Sequence, residues 1–516
     1  MPDLPQPDTT SRDYDAMLPY WEKVEAILGG AAAMREAGQT YLPQFPQESA
    51  DDYEHRRATA PFTNIFRDIV ENLASKPFAK KCQLADGSAS GSLKELAEDI
   101  DGRGNNLHVF AGQTFFNGIA KAIDWIMVDH TKVPTGATRE TEKKIGARPY
   151  WLRIPAEQMI AVYSDMVDGR EEFIHARILE PTIERDGYCE VEILRVRVLT
   201  RDPIVDIDPI TGRDVVIGYQ PARFELWERK LEEKTASGRQ RSKPKVSWEM
   251  VDAGLISIGI IPLVPFLTGR RKGDTWQVLP PMADAADVQI EHYQQETGLK
   301  SAKERTAFVM LTGNGVSPAR DEHGNAEKIP VGPFSVLYAP MDEKGNHGEW
   351  DTLNPGAEEL KFLAADLEAT ERRLRELGRQ PLTAQTGNLT VVTTAFAAQK
   401  GNSAVQAWAL NLKDALERAC ELTRMWIKET SATAEVQVYT DFDVTLQEGT
   451  SMERLIKMAE KGKLSDETLR AEAKRRGELS ADFDEEEEVK RLREQGPDPS
   501  EEDDEAANTP PLKKAA

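Results

Sequence analysis

The side chains best suited to metal or nucleophilic chemistry in this 516-residue chain are widely scattered. His55, His108, His130, His175, His292, His323 and His347 form no HExxH, and no GxSxG elbow surrounds a serine. Cys82, Cys189 and Cys420 lie too far apart for a CxxC zinc site or a disulfide framework, and suit a reducing compartment. No GxxxxGK[ST] is present, so no motor ATPase is expected. Gly313-Asn314-Gly315 is a turn rather than a dinucleotide fingerprint, because no helix with the right glycines follows. The nearest approach to a metal-binding carboxylate pair is Asp124 with Asp129, on or beside an apolar stretch read as helix, where a separation of five puts them on different faces. Asn388-Leu389-Thr390 matches a glycosylation sequon, which matters only in a secreted chain. The expectation is no catalytic residue, no cofactor and no metal.

What the sequence does specify is a run of helices between Pro280 and about Thr430. Pro280-Pro281 suits a first helical turn, whose N–H groups lack intrahelical partners. Ala283, Ala286, Ile290, Tyr293 and Thr297 then recur at steps of three and four. Leu360, Leu363, Leu367, Thr370, Leu374 and Leu377 repeat the rhythm over 357–377, and Val405, Trp408, Leu412, Ala415, Ala419, Leu422 and Trp426 repeat it again. These seams are narrow, with charged or polar residues elsewhere. The first two helices read as too polar to be central in a globular domain, and as suited to packing side by side with copies of themselves.

Length allows two to four domains with sizeable cores. No run of eighteen apolar residues exists to span a membrane, and the start MPDLPQPDTTSRDY has no basic-then-apolar secretory pattern. The formal net charge of −23 disfavours a broad grip on nucleic acid but not a surface that nucleic acid slides past. Between Glu478 and Glu505, fourteen Asp and Glu face Lys490, Arg491 and Arg493. With so little apolar surface to offset ordering entropy, this tail is expected to be disordered.

In chain order, a helix is expected over 15–36, a kinked segment over Tyr41–Glu48, and single helices over 51–73 and 107–128. Residues 148–275 turn to strands. Leu194–Val198 alternate, 206–214 and the basic 237–245 are turns between strands, and Ile256–Phe266 closes the sheet. Strands are expected at 308–313, 332–338 and 348–353, and one or two more at 434–444 that return to an earlier sheet. Ser465-Asp466-Glu467-Thr468 opens a late helix.

Several stretches together resemble the portal-like phage family labelled DUF4055. They are Tyr41-Leu42-Pro43 with Glu48, Tyr53 and Arg56; Val128-Asp129-His130; Arg148-Pro149-Tyr150; Ile261–Phe266; Asp287–Tyr293; and Leu464–Thr468. The resemblance covers roughly residues 40–480 and departs from many relatives at Val288, Gln289 and Glu291, where Asn and Ala are usual. It implies an α+β portal-type fold with an α/β wing, two-helix stem, small β-rich clip, long kinked helix and helical crown. The segments would be wing 1–276, first stem helix 277–307, clip 308–355, second stem helix 356–379 and tunnel loop 380–394. Long helix and returning strands would take 395–450, the crown 451–480, and the acidic tail 481–516.

The resemblance further implies a phage portal protein: a ring of about a dozen copies at one capsid vertex. Double-stranded DNA would be packaged and ejected through its axial channel. Thr383, Gln385, Thr386, Gly387, Asn388 and Thr390 would line the channel at the tunnel loop, with Gly387 for a sharp bend. Ile290, Tyr293, Leu360, Leu363, Leu367 and Leu374 would pack the stem. Partners would be terminase, a head–tail adaptor, major capsid and scaffolding proteins, with no membrane. The location would be the virion, after assembly in the bacterial cytoplasm. The alternatives are a non-portal phage connector or a metal-dependent phage nuclease. A large closed ring or a monomer would tell these apart.

Overall fold

The computed structural model describes residues 6–442, apart from 86, 134–138, 208–212, 233–244, 308–309, 315–347, 354–356, 379–390, 430–433 and 441. Beyond 442 it describes 455–465, 467–470 and isolated positions up to 494. The chain divides into two units, Met1–Phe442 and Asp443–Ala516. Helices and strands are mixed, as an α+β chain requires. The N-terminal part runs α1 (Arg12–Ala37), α2 (Ala50–Thr59), α3 (Ile65–Ser75), β1 (Gln83–Leu84), α4 (Gly91–Glu98) and α5 (Leu107–Lys121). Next come β2 (Ile123–His130), α6 (Arg139–Ile145), β3 (Pro149–Ile154), β4 (Met159–Val167), β5 (Arg170–Asp186), β6 (Cys189–Thr200), β7 (Pro203–Ile207) and β8 (Asp214–Tyr219). Then follow β9 (Arg223–Glu232), β10 (Lys245–Leu255), β11 (Leu263–Leu267), β12 (Arg270–Arg271) and β13 (Val278–Leu279). The last stretch is α7 (Ala283–Ala307), β14 (Met310–Asn314), β15 (Glu349–Leu353), α8 (Ala357–Leu377), α9 (Val391–Ile427) and β16 (Val436–Gln437).

Local chemistry sets the helix ends. Ser11 caps α1 by accepting from the Tyr14 N–H at 3.2 Å. The single helix expected over 51–73 is two. Pro61 has no N–H and drives Ala60 to φ −54, ψ 122. Asn64 restarts the helix by accepting from the Arg67 N–H at 2.9 Å. The helix expected over 107–128 stops at Lys121, where Ala122 turns left-handed at φ 74. Ile123–Val128 is then a strand buried on both faces, which leaves no alternation to read. Asp124 and Asp129 therefore lie on a strand, not on a helix.

The large sheet has the order β10-β9-β6-β5-β4, all antiparallel, and a three-stranded sheet has the order β11-β2-β3. The stretch expected to close one sheet does not. Residues 256–260 form a turn with Gly259 at φ 76, and β11 pairs with β2 instead. The late strand β16 pairs with β1, Val436 opposite Leu84. The expected strand at 332–338 lies outside the described residues, as do all but Lys245 of the basic turn and most of the acidic tail. In the second unit, Ser465 Oγ accepts from the Thr468 N–H at 3.2 Å, the cap read from the sequence.

One core gathers Val24, Ile69, Phe115, Phe266, Tyr293 and Leu412 from α1, α3, α5, β11, α7 and α9. A second joins Trp21, Trp125, Met159, Ile178 and Leu199 on the inner face of the large sheet. The helix α9 supplies a wide face, including Val405, Leu412, Leu416 and Ala419, all fully buried. Each buried Leu there contributes about 2 kcal/mol.

Candidate assembly module and channel segment

The seam expected on α7 is wider and shifted. Ala285, Ala286, Val288, Gln289, His292, Tyr293, Thr297 and Leu299 are buried, so a helix read as too polar to be central lies in the core. Polar pairing accounts for Gln289, whereas His292 Nδ1, Tyr293 Oη and Thr297 Oγ1 are buried without a hydrogen-bond partner among the described residues. The Gln289 carbonyl accepts from the Phe66 N–H at 2.9 Å, and its amide donates to the Thr63 carbonyl at 3.0 Å. It thereby satisfies the backbone exposed at the start of α3. Glu296 accepts from the Thr63 N–H at 3.0 Å and its hydroxyl at 2.8 Å, and Lys300 donates to the Thr59 carbonyl at 2.6 Å.

The helices α7 and α8 run antiparallel. Arg373 stands 3.5 Å from Glu291, and the Gln295 amide donates to Asp366 at 3.0 Å. β14 and β15 continue that pairing, Met310 opposite Leu353 and Asn314 opposite Glu349. A helical hairpin thus runs on into a β-ribbon. Its base is held to α3: Arg375 lies 3.2 Å from Asp68, and Gly378 sits where a Cβ would be 2.5 Å from Ile69. Thr370, Leu374 and Gly378 are buried there, whereas none of residues 358–369 is. About 18 Å of α8, at about 1.5 Å per residue, therefore stands clear of the core.

Among the positions expected to pack the stem, Tyr293 and Leu374 are fully buried and find their partners within the chain. Ile290, Leu360 and Leu367 are half-buried, Leu363 is 38% exposed, and its neighbour Phe362 is 71% exposed. The six expected channel residues, Thr383, Gln385, Thr386, Gly387, Asn388 and Thr390, lie outside the described residues. The last part of that loop, 391–394, is helical in α9. Ala395, Ala397 and Ala398 favour helix strongly enough to carry the β-branched residues before them.

The stretches that carry the family resemblance act as ties. Arg56 is 5% exposed and grips both carboxylate oxygens of Glu48 at 2.7 Å, donates to the Pro43 carbonyl at 2.8 Å, and lies over the Phe45 ring. Arg148 donates to the Asp99 carbonyl at 2.6 Å and its carboxylate at 2.5 Å. Asp129 meets Arg197 at 3.1 Å, and His130 stacks on Trp426. A cleft of about 800 Å³ beside them is lined in part by His130, Arg148, Trp426 and Lys428.

Sequence reasoning missed one charged cluster. Asp124 is fully buried with Arg153 Nη1 3.7 Å away, and neither carboxylate oxygen has a hydrogen-bond partner. Burial pushes its carboxyl up to about 8, against the pull of Arg153 and Lys121. Lys121, itself buried, donates to both oxygens of Glu157 at 2.7 Å and pairs with Glu25. Nothing in the apolar run Ile123–Val128 announces this except an acid where an apolar residue would fit. Burial likewise raises the Cys82 and Cys420 thiols to about 12, which keeps them from acting as thiolates at neutral pH. Among the described residues, no group of three or more His, Cys, Asp and Glu could hold a metal ion, and no helix is long and apolar enough to cross a membrane.

The hairpin, its ribbon and α9 coincide with a known sequence family. Residues 281–427 match the family described as a domain of unknown function, DUF4055. The resemblance read from the sequence is borne out there, over a shorter span than 40–480. The DUF4055 stretch holds α7, β14, β15, α8 and α9. No curated protein matches the chain. Solved structures similar to it include the neck of a native GTA particle computed with C12 symmetry. That likeness has 12% identity and a TM-score of 0.36 over 78% of this chain and 88% of that one. Another is the virion of a native gene transfer agent particle, with 10% identity and a TM-score of 0.38 over 85% and 97%. Likenesses this loose assign neither fold nor role.

Proposed function

We propose that this chain is the portal protein of a tailed phage, a structural ring rather than an enzyme. The observation that carries this reading is the antiparallel α7–α8 hairpin, anchored on α3 at one end and extended by the β14–β15 ribbon at the other. In a ring, the free part of α8 is a stem wall, and Leu360, Leu363 and Leu367 face the neighbouring copy with Phe362. The ribbon and residues 315–347 form a clip that docks a head–tail adaptor. Residues 380–390, between the anchored end of α8 and α9, form the tunnel loop, and Thr383, Gln385, Thr386, Gly387, Asn388 and Thr390 border the DNA path. An acidic chain suits this role, because a passage for DNA must not hold phosphate. Terminase supplies the packaging force, capsid and scaffolding proteins surround the ring, and about a dozen copies close it at one vertex of the virion.

Negative-stain images and the native mass of the purified full chain test this reading. A closed ring with an axial channel is expected. A monomer or dimer at micromolar concentration would refute it and return the chain to the connector or nuclease class.

A further inference from the structure

Two buried phenol hydroxyls, one on α2 and one on α7, have no hydrogen-bond partner among the described residues. Tyr53 is 5% exposed and Tyr293 is fully buried. Burying an unbonded hydroxyl is unfavourable, and phenylalanine would fill either place without that cost. The two oxygens therefore call for a partner. There is space for a small one. Gly38, buried just past the end of α1, has φ 54, and a Cβ built on it would meet no atom closer than Tyr53 Oη at 3.7 Å. Arg57 Cδ and Nη1 follow at 3.8 and 4.0 Å. A space of methyl size thus adjoins the Tyr53 hydroxyl and the Arg57 guanidinium.

The surrounding charge identifies the partner. The charged groups that act most strongly on the Tyr293 hydroxyl are the guanidinium groups of Arg35, Arg56 and Arg57, and Tyr53 acts on it too. Two of these cations are balanced. Arg56 holds Glu48 at 2.7 Å, and Arg57 holds Glu54 at 2.7 Å. Arg57 also donates to the Arg35 carbonyl at 3.1 Å, which covers the carbonyl end of α1. Arg35 forms no ion pair among the described residues. Its Nε and Nη2 both donate to the Ala60 carbonyl, at 3.1 and 2.7 Å. One positive charge is therefore left over beside two hydroxyl donors. Water would satisfy the hydroxyls but leave that charge unmatched, whereas an anion answers both.

We propose that a single chloride-sized anion binds between the Tyr53 and Tyr293 hydroxyls, with Arg35 as its counter-charge, and ties α2 to α7. The inference is independent of the ring reading, because every group it uses lies in one chain. The test follows thermal unfolding of the full chain by circular dichroism, in sodium chloride and in sodium gluconate at equal ionic strength. Gluconate is too large for the site. Wild type, Tyr53→Phe and Tyr293→Phe are compared, and each substitution removes one oxygen and keeps the ring, so both variants should fold. Chloride should raise the wild-type midpoint by a few degrees over gluconate, and each variant should lose at least half of that gain. Bromide should replace chloride, and anomalous diffraction from crystals grown in bromide should place a peak at the two hydroxyls. Equal gains in wild type and both variants would overturn the assignment. So would a map without bromide there, which would leave water as the partner of both hydroxyls.

Discussion

Asp124→Asn should stabilise the chain, and increasingly so as pH rises. The folded carboxyl is pushed up to about 8 by burial, while an unfolded aspartate titrates near about 3.9. A raised folded pKa means that the native state holds a proton the unfolded state has lost. Stability from this group is complete below pH 4 and declines as pH climbs toward 8. Each unit is worth about 1.4 kcal/mol, so between pH 4 and pH 7 the decline is on the order of 4 kcal/mol. Asparagine has the same shape, cannot ionise and removes that slope. The stability of the variant relative to wild type should therefore rise by on the order of 3 kcal/mol between pH 5 and pH 7. Urea denaturation of both proteins at pH 5, 6, 7 and 8, followed by tryptophan fluorescence, measures the difference, since Trp125 is the adjacent residue. Curves that stay parallel across that range would refute the reasoning. So would a variant less stable than wild type at pH 8, because it would mean that Asp124 is ionised and held by Arg153.

Leu363→Asp with Leu367→Asp should abolish rings while leaving the sheet folded, since neither side chain is buried in the single chain; gel filtration and circular dichroism check both halves. Gly378→Ala should destabilise the base of the hairpin by about 1–3 kcal/mol, because the new methyl lies 2.5–2.9 Å from three Ile69 atoms; a lower thermal midpoint is the measurement. Thr383→Lys with Thr386→Lys should leave rings intact but stall DNA packaging in a reconstituted assay, with relief as salt rises. Wild-type rates from assembled rings of that variant would sink the tunnel-loop assignment.

The helices around the hairpin were legible because their seams repeat at three and four, and α9 buries every seam residue read from it except Trp426, which is half-buried. The breaks were harder. Pro61 was a visible stop, but the apolar residues on both sides of it keep a helical rhythm. The turn from α5 into β2 carries no glycine, and a strand buried on both faces shows no period. The face of α7 was misjudged because Gln289 and His292 look like solvent residues in one dimension, and the partners of Gln289 are backbone groups more than 220 residues away. Among the candidate site positions, those on α8 could be placed by rhythm. Whether Leu374 or Leu363 faces outward depends on where α3 docks, and no spacing encodes that.

The Gln289 bridge also has a bearing on how the chain is made. The Phe66 N–H in the first turn of α3 is bonded by a residue 223 positions later, so until α7 has emerged only water can bond it. At about 5–20 residues per second of synthesis, that interval is roughly ten to forty-five seconds. Throughout it, Ile65, Phe66 and Ile69, all buried in the finished fold, lack α7 as part of their cover. Contacts this distant in sequence also make folding slow. A chain cut short before Gln289 is accordingly expected to form α3 but to leave Ile65, Phe66 and Ile69 without part of their cover.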